Sequence, residues 1–150
     1  MSPTTSLTLT AQQKRLVRQT FDSISDYPEA VVFLFYGRLF ELAPEVRNLF
    51  HIDMREQTRK LADMIATIVG ALDRFEELRP ELMELGRRHA GYGAKPEHYD
   101  MLRQALLWAL GQALSGEFDR NTKAAWNTLL ETVAATMLEG TAQPPTDASA

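Results

Sequence analysis

Four of the seven prolines, Pro28, Pro44, Pro80 and Pro96, each stand at the head of an amphipathic run, and this constrains the fold more than any other feature of the chain. Proline lacks a backbone N–H and is tolerated in the first turn of a helix, where that donor has no intrahelical partner. Two further helix starts carry capping side chains. Thr10-Ala-Gln-Gln13 has the Thr-x-x-Gln form of a capping box, and Asp53-Met-Arg-Glu56 resembles one with Asp as the cap. Pro3, Pro144 and Pro145 lie in polar tails instead. These signals predict helices over 11–25, 28–42, 44–50, 54–73, 80–90, 96–114 and 120–139.

Periodicity agrees with the punctuation. Leu61, Met64, Ile65, Ile68, Val69 and Leu72 follow the spacing of one helix face, which predicts a buried stripe along the fourth segment. The β-branched stretch AVVFLF suits a strand by propensity, but its apolar character continues through Leu39 and Phe40 at helical spacing. No Asn-Gly or Asp-Gly hairpin signal occurs. The expectation is an all-α protein of one domain over 11–139, with an N-terminal extension over 1–10 and a disordered tail over 140–150, GTAQPPTDASA.

Composition bounds what such a domain can do. A chain of 150 residues buries roughly two-thirds of its unfolded surface, enough for a core wrapped around a bound group. The net charge of −4 and the scattered basic residues argue against nucleic acid. The absence of cysteine removes disulfides, thiolate zinc sites, iron–sulfur clusters and covalent c-type haem attachment. The start MSPTTSLTLT has no basic and apolar leader pattern, and the oiliest stretch, AVVFLFYGRLFELA, is interrupted by Arg38 and Glu41. A soluble, cytoplasmic protein without a membrane span is expected.

Three polar side chains fall where the pattern asks for oil. Gln57 lies one turn before Leu61 on the fourth stripe, Tyr36 shares a stripe with Val32, Leu39 and Phe40, and His89 follows Leu82 and Leu85 at i, i+3, i+7. Burying such groups costs free energy unless they are paired. Each alone has a bland reading: a lone inward histidine is more often a satisfied core residue than a ligand. The combination on three helices is what calls for an explanation.

Other chemistries are poorly supported. His51, His89 and His98 are too sparse for a three-histidine zinc site, and His98 reads as a wet residue in a first helical turn. GYGAKP lacks the Gly-Lys-Ser/Thr of a phosphate loop and reads as a turn. RFEELRPELMEL reads as a solvated surface, and no acid/base pair stands out among the twenty carboxylates.

In FYGRLFELAPEVRNLF (Phe35–Phe50), QTRKL (Gln57–Leu61), LGRRHAGYGAKPEHY (Leu85–Tyr99) and KAAW (Lys123–Trp126), in this order, the chain resembles the globins. It is similar to the single-domain bacterial haemoglobins and the haem domain of flavohaemoglobins, and the resemblance spans Leu9 to about Glu139. It implies a three-over-three helical globin fold around non-covalently bound haem b. His89 matches the proximal iron ligand, Tyr36 and Gln57 the distal hydrogen-bonding pair, Leu61 the apolar residue one turn beyond, and Phe50 the phenylalanine that packs on the haem. Leu85, on the proximal helix, counts among the cofactor-binding residues, and Lys60 is a candidate partner for a propionate. With glutamine in the distal position, five-coordinate ferrous haem with an open sixth position is expected.

One position departs from the pattern. Flavohaemoglobins link the proximal histidine to a tyrosine and a glutamate. Tyr99 matches the tyrosine, but Thr141 occupies the glutamate's place and Glu139 comes two residues early, about 200° away around a helix. The resemblance implies reversible O2 binding and, with NO as second ligand, oxidation of nitric oxide to nitrate. That reaction would require a separate flavin or NAD(P)H reductase. The alternatives are non-enzymatic O2 storage, delivery or sensing, and a helical bundle that holds no haem. Oligomeric state is open.

Overall fold

The computed structural model describes residues 6–49 and 54–142. Among the described residues six α-helices follow in order: α1 Ala11–Ile24, α2 Pro28–Leu42, α3 Met54–Gly70, α4 Arg79–Gly91, α5 Pro96–Leu114 and α6 Arg120–Ala142. Short 3₁₀ segments at Pro44–Leu49, Leu72–Leu78 and Ser115–Glu117 turn the chain between them. Among the described residues there is no strand, and no helix is long and apolar enough to cross a membrane.

The local signals explain most boundaries. The Thr10 hydroxyl accepts from the Gln13 amide at 3.1 Å while the Gln13 side chain accepts from the Thr10 amide at 3.0 Å, closing the expected capping box. Pro28 and Pro96 open α2 and α5, and Pro80 lies in the first turn of α4. The fourth segment ends at Gly70 rather than 73, because the chain tightens into a 3₁₀ segment that breaks at Arg74, φ −139° and ψ 44°. The last helix runs three residues past the expected end at 139, to Ala142. The capping motif at Asp53 lies outside the described residues.

The core sits where α2 packs on α5 and where α6 meets α1 and α5. Val17, Val32, Phe35, Leu39, Ala105, Trp126 and Leu129 are fully buried there. Trp126 is the largest of them, and its indole N–H donates to the Thr20 hydroxyl at 2.9 Å, which in turn donates to the Leu16 carbonyl at 2.7 Å. The buried donor is thereby satisfied.

A second contact fixes α4. A Cβ on Gly86 would stand 1.9 Å from the Met137 carbonyl oxygen, and one on Gly140 would stand 2.0 Å from the Met83 carbonyl oxygen. The two helices therefore touch backbone to backbone at paired glycines, closer than any side chain allows. Arg79 reinforces the crossing. Its guanidinium is 11% exposed and donates to Glu139 at 2.7 Å and to Glu76 at 3.0 Å. The reading of RFEELRPELMEL as a solvated surface holds for its four glutamates, which are exposed, and is corrected at three positions: Phe75 and Leu82 are buried, and Arg79 is a largely covered anchor whose charge is balanced by two carboxylates.

Candidate functional site

Tyr36 is brought to the interior by α2 and is 6% exposed. Its ring stacks on Phe40 with centroids 5.9 Å apart and leans against Phe35 at 4.9 Å. Gln57, in the first turn of α3, hydrogen-bonds the Tyr36 side chain. Burial pushes the Tyr36 hydroxyl up to about 12, and the bond to Gln57 works the other way. Tyr36 is thus a protonated donor at neutral pH, and the two distal residues expected from sequence do meet.

His89 comes from the last turns of α4. Its Nδ1 lies 2.8 Å from the Leu85 carbonyl oxygen. A carbonyl can only accept, so Nδ1 carries the proton and Nε2 presents a lone pair. Burial holds the imidazole below its ordinary pKa, the Leu85 carbonyl opposes that, and the charge of Arg88 adds to it. A neutral imidazole with one nitrogen tied to backbone and the other basic is the form that ligates a metal. The end of the helix is pinned directly behind it: Ala94 N–H donates to the His89 carbonyl at 3.0 Å and Gly93 N–H to Ala90 at 3.1 Å, with Gly93 at φ 102°. This is the paired-bond stop for which a glycine is favoured.

The stripes that carry Gln57 and His89 are incompletely covered. Ile68, Val69 and Leu72 are buried as predicted, but Leu61, Met64 and Ile65 on α3 and Leu85 on α4 are only half-buried. The expectation of a stripe buried along its whole length is corrected accordingly. The cause is that α3 and α4 do not pack extensively on each other, while each packs elsewhere. A flat apolar group lying between them would remove these side chains from water at about 25 cal/mol per Å². The donor set fits haem: a basic imidazole nitrogen on α4, half-covered apolar side chains on α3 and α4, and a protonated hydroxyl on α2 with its amide partner on α3.

The remaining candidates are placed as follows. Lys60 is exposed and 3.8 Å from Glu56. Phe50 and His51 lie outside the described residues. Tyr99 is buried at the start of α5, and the Thr141 hydroxyl donates to the Gly86 carbonyl at 3.1 Å and lies 3.3 Å from that of Met137. Glu139 is turned to Arg79, as the helix rotation predicts. His98 is not wet: its Nδ1 accepts from the Lys95 amide at 3.0 Å and its Nε2 stands 3.8 Å from Glu45. It caps α5, a use of histidine at the third helical position that no spacing rule signals.

The chain belongs to the globin family, whose signature matches residues 34–137. Globins hold haem, and the fold is the one that the resemblance implied. The protein is 30% identical to a neuroglobin of Tetraodon nigroviridis over 90% of this chain and 94% of that one. It is 28% identical to a flavohemoprotein of Halalkalibacterium halodurans over 85% of this chain, which spans 32% of that longer protein. Among solved structures it resembles an engineered carbene transferase, a proposed nitric oxide dioxygenase of Rhodothermus marinus. The TM-score is 0.82 at 26% identity, covering 91% of this chain and 95% of the other.

Proposed function

We propose that this globin binds haem b through His89 and binds O2 reversibly beside Tyr36 and Gln57. The observation that carries the reading is a neutral His89, Nδ1 on Leu85 O, at the end of one half-covered apolar stripe, together with a buried Tyr36 hydrogen-bonded to Gln57 at the start of another. Haem would supply the iron to which a diatomic ligand binds and the electron that gives O2 partial negative charge. Tyr36 would donate a hydrogen bond to that charge, and Gln57 would orient the hydroxyl and offer its own amide N–H. Leu61 and Leu85 would shield the group from water, and the resemblance assigns Phe50 to the haem and Lys60 to a propionate. Oxidation of nitric oxide to nitrate is the finer proposal. It draws support from the flavohemoprotein relatives and the Rhodothermus neighbour, and a separate flavin or NAD(P)H reductase would serve as partner.

The test is an absorption spectrum of ferric, ferrous and oxygenated protein, followed by mixing the oxygenated form with NO and assaying nitrate. A Soret band lost in His89→Ala is expected, with stoichiometric nitrate and faster O2 release in Tyr36→Phe. A Soret band unaffected by His89→Ala overturns the ligand assignment. Absence of nitrate removes the dioxygenase reading and leaves O2 binding alone.

A further inference from the structure

Among the described residues the Tyr99 hydroxyl is the one buried side-chain polar atom with no hydrogen-bond partner. A buried hydroxyl without a partner destabilises the fold, so an acceptor beside it changes its energetics. Burial raises its pKa, and the Thr141 side chain offsets part of that rise, which puts Thr141 beside it. The Thr141 hydroxyl has a single proton and two carbonyls in reach, Gly86 at 3.1 Å and Met137 at 3.3 Å, and the shorter contact is to Gly86. Its oxygen can still accept a further hydrogen bond. Gly86 is the glycine at which α4 touches α6, and it lies three residues, one helical turn, before His89.

We infer that Thr141 is a positioning residue for the iron ligand: Tyr99 O–H donates to Thr141 Oγ1, Thr141 O–H donates to Gly86 O, and this neutral chain holds the turn of α4 that carries His89. The inference rests on His89 being the ligand, as proposed above. The chain joins α5, α6 and α4 at one hydroxyl, and among the described residues the partner of His89 Nδ1 is the Leu85 carbonyl. No carboxylate reaches the imidazole by this route, since Glu139 is taken by Arg79. The ligand's orientation is therefore set by backbone and hydroxyl groups rather than by charge.

The experiment compares haem-loaded wild type with Thr141→Val, Thr141→Ser, Tyr99→Phe and the Thr141→Val/Tyr99→Phe double variant. The iron–histidine stretching band of the ferrous protein is read by resonance Raman and stability by urea unfolding. Thr141→Val, which keeps the shape and removes the hydroxyl, is expected to shift or broaden the band, and Thr141→Ser to restore it. In urea, Tyr99→Phe should lower the folding equilibrium constant roughly tenfold in wild type and not at all, or the reverse, in the valine background. An unchanged band in Thr141→Val, or urea effects that simply add, overturns the inference. Should Thr141→Val fail to fold, an unchanged band in Tyr99→Phe overturns it equally. Loss of the band in His89→Ala shows the ligand assignment standing whichever way Thr141 behaves. Its persistence there fails that assignment, and the positioning role falls with it.

Discussion

Two stretches of one stripe on α4 are built on opposite terms. Leu82 and His89 are seven residues apart and so stand on nearly the same side of the helix. Where α6 crosses, that side is sealed: Leu82 is fully buried, and Gly86 meets the Met137 backbone with no room for a methyl group. Beside and beyond the crossing it is open, with Leu85 and His89 half-buried on the same thirteen-residue element. The sealed stretch is covered by the backbone of α6, while the open stretch leaves apolar surface and a basic nitrogen only half-covered among the described residues. A rigid anchor next to a half-covered imidazole is what holding a bound group in one orientation requires.

The contrast is broken most severely at the glycines. Gly86→Ala or Gly140→Ala drives a Cβ into a backbone carbonyl that has no rotamer to escape with, and each should cost about 3 kcal/mol or more. Urea unfolding of the haem-free protein measures it, and a cost under about 1 kcal/mol would show that the crossing is looser than described. Next comes a pair on one helix. Leu82→Ala should cost roughly 3 kcal/mol, whereas Leu85→Ala, half-covered without haem, should cost about 1 kcal/mol. Loading with haem should widen the penalty at Leu85 and leave that at Leu82 unchanged. Equal costs in the haem-free protein would erase the difference between the sealed and the half-covered positions.

The smallest effect is one of pH. His89 titrates below its ordinary 6.5, chiefly because burial penalises the imidazolium. The unfolded chain therefore takes up this proton first as pH falls, so the haem-free fold loses stability below pH 6.5 and the loss levels off past the folded pKa. An NMR titration of His89 should give a midpoint under 6.5, and in His89→Ala this part of the pH dependence should vanish. A midpoint above 6.5 would mean that the bond to Leu85 outweighs burial.

Much of this was legible beforehand, for reasons that are local. Proline and threonine at helix starts, and period-3.6 stripes, are short-range signals, and they located all six helices to within a few residues. Gln57, Tyr36 and His89 stood out because a polar group on an oily stripe conflicts with its own neighbours in sequence. Arg79 and His98 were misread. An arginine beside a glutamate-rich run looks solvated until α6 brings Glu139 to it, and a histidine becomes a cap only through its geometry.

The order of helices, the three inward polar groups and the absence of cysteine chemistry are properties of the chain itself, since they depend on residues a turn or two apart. Which stripes end up covered was decided by tertiary structure alone. Gly86 and Gly140 are fifty-four positions apart, and nothing along the chain announces that they meet. Only the packed helices show that α6 seals α4 at Leu82 and Gly86 and leaves Leu85 and His89 half-covered. That outcome depends on backbones meeting across all of α5 and most of α6, which no local pattern encodes.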